Sequence, residues 1–335
     1  LMPPGKIIGL LLGLVFGVLL WALPPMKVIF VVIGLAVTLT LVRKPLWGLL
    51  IFAVLATSIP YTTLELGIRT TVSEAVLGLT WLGVIWQSFI GQTRNLLLWR
   101  PTERAMAWLM LFSIIPFIAG MIIIHADGNG PVNWVRWLMN LSLLFMVPLL
   151  LRSDADRDKL VIALLLGNLA MLLLSVFMFI KTRNAMSMIP ILTDLKYAHP
   201  EAVQDIFSAN YQRMASPWVH PNLTGGVLVL FIPMALLYGW TQSGFRRALG
   251  LAVAILGCAG LLLSISRGAI LALALVLLWL TYKRVPYSGR IIGIGAAFAV
   301  ALVMFYPPLQ ERLMTIFSAT NASTEIRFDE YSKFP

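Results

Sequence analysis

The sequence predicts an all-α protein, a polytopic transmembrane bundle of about eleven helices, and three observations predict it. Hydrophobic residues make up 59% of the 335 and charged residues only 12%, where a water-soluble domain carries about 25%. Apolar runs long enough to cross a hydrocarbon core of ~30 Å recur along the whole chain, and mean hydropathy is +0.89. The net charge of +11 sits in alternating loops, as membrane topology requires. No basic stretch interleaved with aromatics occurs in a polar segment, which argues against a nucleic-acid partner. The one cysteine, Cys258, lies inside an apolar run, so there is neither a disulfide framework nor a cysteine metal site.

The first run, at about 7–23, follows Lys6 as a signal peptide would, but Pro24-Pro25 stands where a small-residue cleavage site belongs. It is read as an uncleaved first helix. Runs at about 26–42, 45–60, 73–91, 105–124, 134–151, 160–180, 223–240, 248–264, 268–282 and 290–306 follow, and prolines punctuate several of their ends. With the N-terminus inside, the inner loops hold fourteen basic residues against four acids, and the outer segments eleven against ten. The opposite orientation reverses this bias, so the N-terminus is expected in the cytoplasm. Residues 1–335 therefore read as a single integral-membrane domain with two longer outer segments, 181–222 and 307–335. The first mixes apolar and polar residues and is expected to fold back on the membrane. The chain ends in a polar loop, and the natural C-terminus is expected beyond Pro335.

Between Ala248 and Tyr282 the only charge is Arg267, in Ser264-Ile265-Ser266-Arg267-Gly268-Ala269. One helix of that length would reach roughly 50 Å, so the run is expected to break there into a hairpin, with Arg267 in a turn at the outer membrane surface. Such an arginine can snorkel to lipid phosphates. Small neighbours at Ser264, Ser266 and Gly268 favour an exposed guanidinium that takes an anionic ligand. Upstream, Arg213, His220 and Asn222 precede Gly225-Gly226 at the start of another run. Asn222 suits an N-cap, and a helix N-terminus with Arg213 and His220 beside it suits a phosphate. Arg312 and Arg327 on the last outer segment could complete a cluster fit for a diphosphate, because the guanidinium fork binds phosphate oxygens in pairs and stays charged. Asp154 and Asp156 form a D-x-D that a divalent cation could use, but with Ser153 they suit a helix cap better. His125 and Asp127 read as an outer turn. Motifs for nucleotide-driven pumping, zinc proteolysis and serine hydrolysis of the common kinds are missing.

A long outer loop, then His220-Pro221-Asn222 opening an apolar helix with Pro233, then the Ser266-Arg267-Gly268 break, then Ser323-x-x-x-Arg327, resembles the O-antigen ligase and O-antigen polymerase superfamily. The resemblance covers roughly residues 205–330. It implies a GT-C glycosyltransferase of the bacterial inner membrane, active at the periplasmic face without nucleotide, metal or other cofactor. Such enzymes move a glycan from an undecaprenyl-diphosphate carrier to an acceptor hydroxyl: a sugar of the lipid A core for the ligase, another carrier-linked glycan for the polymerase. By motif, Arg267 and Arg327 inherit the diphosphate contact. The ligases carry a histidine base late in the loop after the second arginine, and this sequence ends before one. His220 or an outer carboxylate such as Asp205 could serve.

The ligase reading leads, and the polymerase differs from it only in the acceptor. A transporter or flippase of a lipid-linked glycan is the alternative from another class. It would need ionisable groups near mid-membrane, and the helix centres are almost free of charge.

Overall fold

A computed structural model of the chain describes residues 24–66, 68–91, 99–124, 130–183, 185–198 and 213–305, together with 13, 14, 17, 18 and 21. The first predicted run lies almost wholly outside these residues. The helices are α1 (Pro25–Arg43), α2 (Pro45–Ser58), α3 (Val72–Phe89), α4 (Pro101–Phe112), α5 (Ile114–Ala119), α6 (Gly130–Leu141), α7 (Leu143–Leu150) and α8 (Asp154–Thr182). After them come α9 (Met188–Asp194), α10 (Pro221–Thr241), α11 (Gly244–Ser264), α12 (Arg267–Tyr282) and α13 (Ser288–Phe305). The architecture is all-α, as expected. Its one addition among the described residues is a small antiparallel hairpin, β1 (Thr63–Leu66) and β2 (Ile68–Thr71), in which Thr63 pairs with Thr71 and Leu64 with Thr70. Threonine-rich flanks around Gly67 favour extended backbone, a signal that hydropathy alone passes over.

Among the described residues, six segments are long and apolar enough to cross a bilayer: Met26–Arg43, Pro101–Ile123, Gly130–Leu150, Asp154–Thr182, Pro221–Thr241 and Gly244–Ser264. The chain is therefore a multi-pass membrane protein. Large side chains such as Leu230, Phe177 and Ile255 stay exposed on these helices, as lipid-facing residues do. Two spans are broken at serines. Ser113 and Ser142 each turn their hydroxyl back on a carbonyl three residues earlier, Met110 O at 2.6 Å and Met139 O at 2.5 Å. Each also accepts an indole N–H, from Trp134 and Trp81 respectively. This back-bonding competes with the helix ladder and bends it. At α8, Ser153 Oγ receives the Asp156 amide and donates to the Asp156 carboxylate, while Asp154 holds Arg157 at 2.9 Å. The D-x-D pair is thus engaged in a helix start, as the cap reading expects.

Contacts divide the chain into two compact units, Leu1–Phe52 with Glu74–Arg157, and Ala53–Ser73 with Asp158–Pro335. In the first, α3 lies so close to the end of α1 that a Cβ on Gly83 would stand 2.9 Å from Val42 O. In the second, α10 and α11 form an antiparallel hairpin closed by small residues. A Cβ on Gly250 would approach Gly239 N to 2.5 Å and Ala235 O to 2.7 Å, and one on Gly257 would meet Ile232 at 2.9 Å. Lipid offers no hydrophobic drive between helices, so close backbone approach through glycine supplies the dispersion that holds the pair. Leu165, Met171 and Leu172 of α8 complete this core with Leu228, Ile232, Val253 and Leu261. At one end of it, Asp158 accepts from Tyr238 Oη at 2.6 Å and pairs with Arg246 at 2.9 Å, tying α8, α10 and the start of α11. The predicted fold-back of the outer segment is partly described. Ala185, Met188, Leu192, Tyr197 and Ala215 bury one another in a second, smaller core.

Candidate functional site

Arg213 to His220 form a strap across the ends of three helices of the second unit. Its first residues satisfy carbonyls that α11 leaves without intrahelical partners. Met214 N donates to Leu263 O at 2.9 Å, and Arg213 Nε donates to Ser264 O at 2.7 Å. The same guanidinium reaches the start of α10, where Nη2 donates to Asn222 Oδ1 at 3.2 Å. Ser216 and Thr224 share a hydroxyl–hydroxyl bond of 2.6 Å, and both are fully buried. Tyr197 Oη donates to Pro217 O, and burial pushes that phenol well above its usual range, so the donor stays protonated. Tyr61 sets its ring edge-on to both Tyr197 and Trp218, at 5.9 Å from each.

Two helices begin beside this strap. The run breaks before Arg267 into two helices, as expected, and α12 packs more against α10 than against α11, the helix it follows. The contact is at Gly225, where a Cβ would stand 2.8 Å from the Cβ atoms of both Ser266 and Ala269. The first turns of α10 and α12 thereby lie side by side, and the positive ends of their helix dipoles add to one potential. Arg267 is the first residue of α12; its side chain lies outside the described residues. Gly268 is exposed, but Ser264 and Ser266 are buried. Ser266 lets the break nestle against α10 at Gly225.

The break is strained. Ile265 holds left-handed backbone at φ 51°, ψ 36°, and Val219, beside His220, holds φ 61°. A β-branched residue there costs roughly 1–2 kcal/mol, and such outliers cluster at ligand sites. Surrounding bonds hold both: Ile265 N donates to Leu262 O and Val219 N to Ser216 O.

His220, and not Asn222, is the N-cap of α10, with Nδ1 accepting the Asn222 amide at 3.0 Å. A backbone N–H can only donate, so Nδ1 carries no proton and the neutral ring bears its hydrogen on Nε2. In this tautomer His220 offers a donor, and acting as a base would first require breaking the cap. Burial and the neighbouring Arg213 hold its pKa below the ordinary 6.5. Stability from the neutral cap is therefore full above about pH 6.5 and is lost as pH falls through the lowered folded value. The thermal midpoint of the protein in detergent should fall between pH 7.5 and pH 5, and His220→Asn, which caps without titrating, should flatten that fall. An equal fall in both would detach His220 from the cap.

Asp205, Arg312 and Arg327 lie outside the described residues. Of the expected site residues, the structure brings Arg213, His220, Asn222, Ser266 and the backbone of Arg267 and Gly268 to one place. Sequence reasoning missed Ser216, Thr224 and the Tyr61–Tyr197–Trp218 cluster. The small and apolar stretch Met214-Ala215-Ser216-Pro217-Trp218 inside a polar segment was their available signal. No family model, curated relative or solved structure matches the chain.

Proposed function

We propose that the chain is a metal-independent glycosyltransferase of the O-antigen ligase type, acting at the periplasmic face of a bacterial inner membrane. Its donor is an undecaprenyl-diphosphate-linked glycan and its acceptor a sugar hydroxyl, in the lipid A core for a ligase. The observation that carries the reading is the meeting of two helix starts at Gly225, with Arg213 bound to both ends of the junction and Arg267 opening the second helix. A diphosphate needs such a preorganised positive site, because negative charge grows on it as it leaves.

In the reaction the acceptor oxygen attacks the anomeric carbon, the bond from that carbon to the diphosphate breaks, and its electrons stay on the diphosphate. The dipoles of α10 and α12 and the guanidinium of Arg267, with Arg327 and Arg312 from the last segment, stabilise that charge. Arg213 shapes the junction, since its Nε and Nη2 already hold Ser264 and Asn222. His220 contributes a hydrogen bond from Nε2 toward the phosphates, which leaves the proton of the acceptor hydroxyl to a carboxylate such as Asp205. Lipid-facing gaps between apolar helices admit the polyprenyl tail.

Reconstitution with purified carrier-linked glycan tests this directly. With a lipid A core acceptor, glycosylated core and free undecaprenyl diphosphate should appear together. Lengthened carrier-linked glycan without any core would mark the polymerase. Donor that crosses the bilayer unchanged would replace the enzyme reading with a transporter.

A further inference from the structure

Within the first unit, the ends of α1, α3 and α7 and the start of α2 line an open cavity of about 280 Å³ that the proposed reaction does not use. Arg43, Lys44, Trp47, Gln87, Leu150 and Arg152 line it, and no carboxylate does. Part of the positive charge answers to helix ends. Arg43 sits in the last turn of α1, and Arg152 Nε donates to Leu149 O at 3.3 Å at the end of α7. That does not absorb it all. Lys44 stands beyond α1, and among the described residues none of the three cations forms an ion pair. Gln87 adds an amide group whose Nε2 donates to Arg43 O at 3.1 Å, fixing the wall between α1 and α3. Three like charges around one space repel, and an anion seated among them turns that repulsion into attraction.

Size and position narrow the anion. Small-molecule pockets begin at about 300 Å³, so the cavity suits a polar headgroup and not a whole lipid. It opens where apolar spans end, and Trp47 at its rim is 55% exposed, at the level where tryptophan meets lipid headgroups. Basic pockets between membrane helices recognise anionic headgroups by this combination of charge and depth. We propose that the cavity binds the phosphate-ester anion of an anionic phospholipid from the leaflet at that face.

Native mass spectrometry of the full chain in detergent, mixed with phosphatidylglycerol or phosphatidylcholine, tests the proposal. Phosphatidylglycerol should be retained preferentially, and Arg43→Gln, Lys44→Gln and Arg152→Gln should each weaken its retention about fivefold. Single substitutions keep most of the topogenic charge, so each variant stays assessable. A paired control, Lys283→Gln with Arg284→Gln at the end of α12, lies outside the cavity and should leave retention unchanged. Equal retention of the two lipids, or an equal loss in the control, would overturn the site. Displacement of the lipid by excess inorganic phosphate would overturn the lipid as its occupant.

Discussion

Arg267→Ala should leave the chain inserted and folded and reduce glycan transfer by about 10²–10³-fold, the usual effect of removing one preorganised donor from a developing anion. The substitution falls at the first residue of α12, where alanine is a good helix former, so local structure has little reason to change. Transfer in the reconstituted assay, read beside the thermal midpoint of the same preparation, separates chemistry from folding. Arg267→Lys sharpens the test. A lysine keeps the charge but loses the planar fork, so it should recover only a small part of the rate if two phosphate oxygens are gripped at once. Wild-type transfer by Arg267→Ala would remove the diphosphate contact from this residue, and with it the main support for the enzyme reading.

The second large effect comes from a residue with no side chain. Gly225→Val should cut transfer by roughly 10²-fold, while Gly226→Ala one residue on should be nearly silent. A Cβ at 225 meets Ser266 and Ala269 at 2.8 Å, well inside ordinary contact, whereas nothing lies within 4 Å of a Cβ at 226. The valine therefore pushes the start of α12 off α10 and separates the two helix starts. Measuring both variants in the same transfer assay makes the comparison internal. Equal activity of the two would mean that the junction is not what the donor recognises.

That pair also marks how far the sequence could be read. Hydropathy located the spans because backbone in lipid must satisfy its own hydrogen bonds, which makes long apolar helices the simplest solution. The break at Arg267 was legible because an uninterrupted run would overshoot the bilayer. The partner of α12 was not, since two adjacent glycines look alike in a sequence and only one faces Ser266. Ile265 was less legible still. A β-branched residue argues against left-handed backbone, and the bond that anchors its neighbour Ser264 comes from Arg213, some fifty positions upstream. The strap from Arg213 was half visible. Its charged first residue and its histidine stood out, while the buried Ser216 between them was marked only by the small and apolar stretch around it. The capping role of His220 was not legible, because a ring nitrogen that caps a helix cannot be told from a free one until the geometry is known.

The glycine-lined closure of α10 on α11 bears on how the protein is made. Those two helices need nothing beyond Ser264 to find each other, so a nascent chain can hold them as a finished pair while the ribosome is still translating. The junction proposed to take the diphosphate cannot exist at that stage, because half of it is the first turn of the next helix. Its maturation therefore waits until translation has passed Arg267, and a chain halted before that residue would carry the paired helices without the junction.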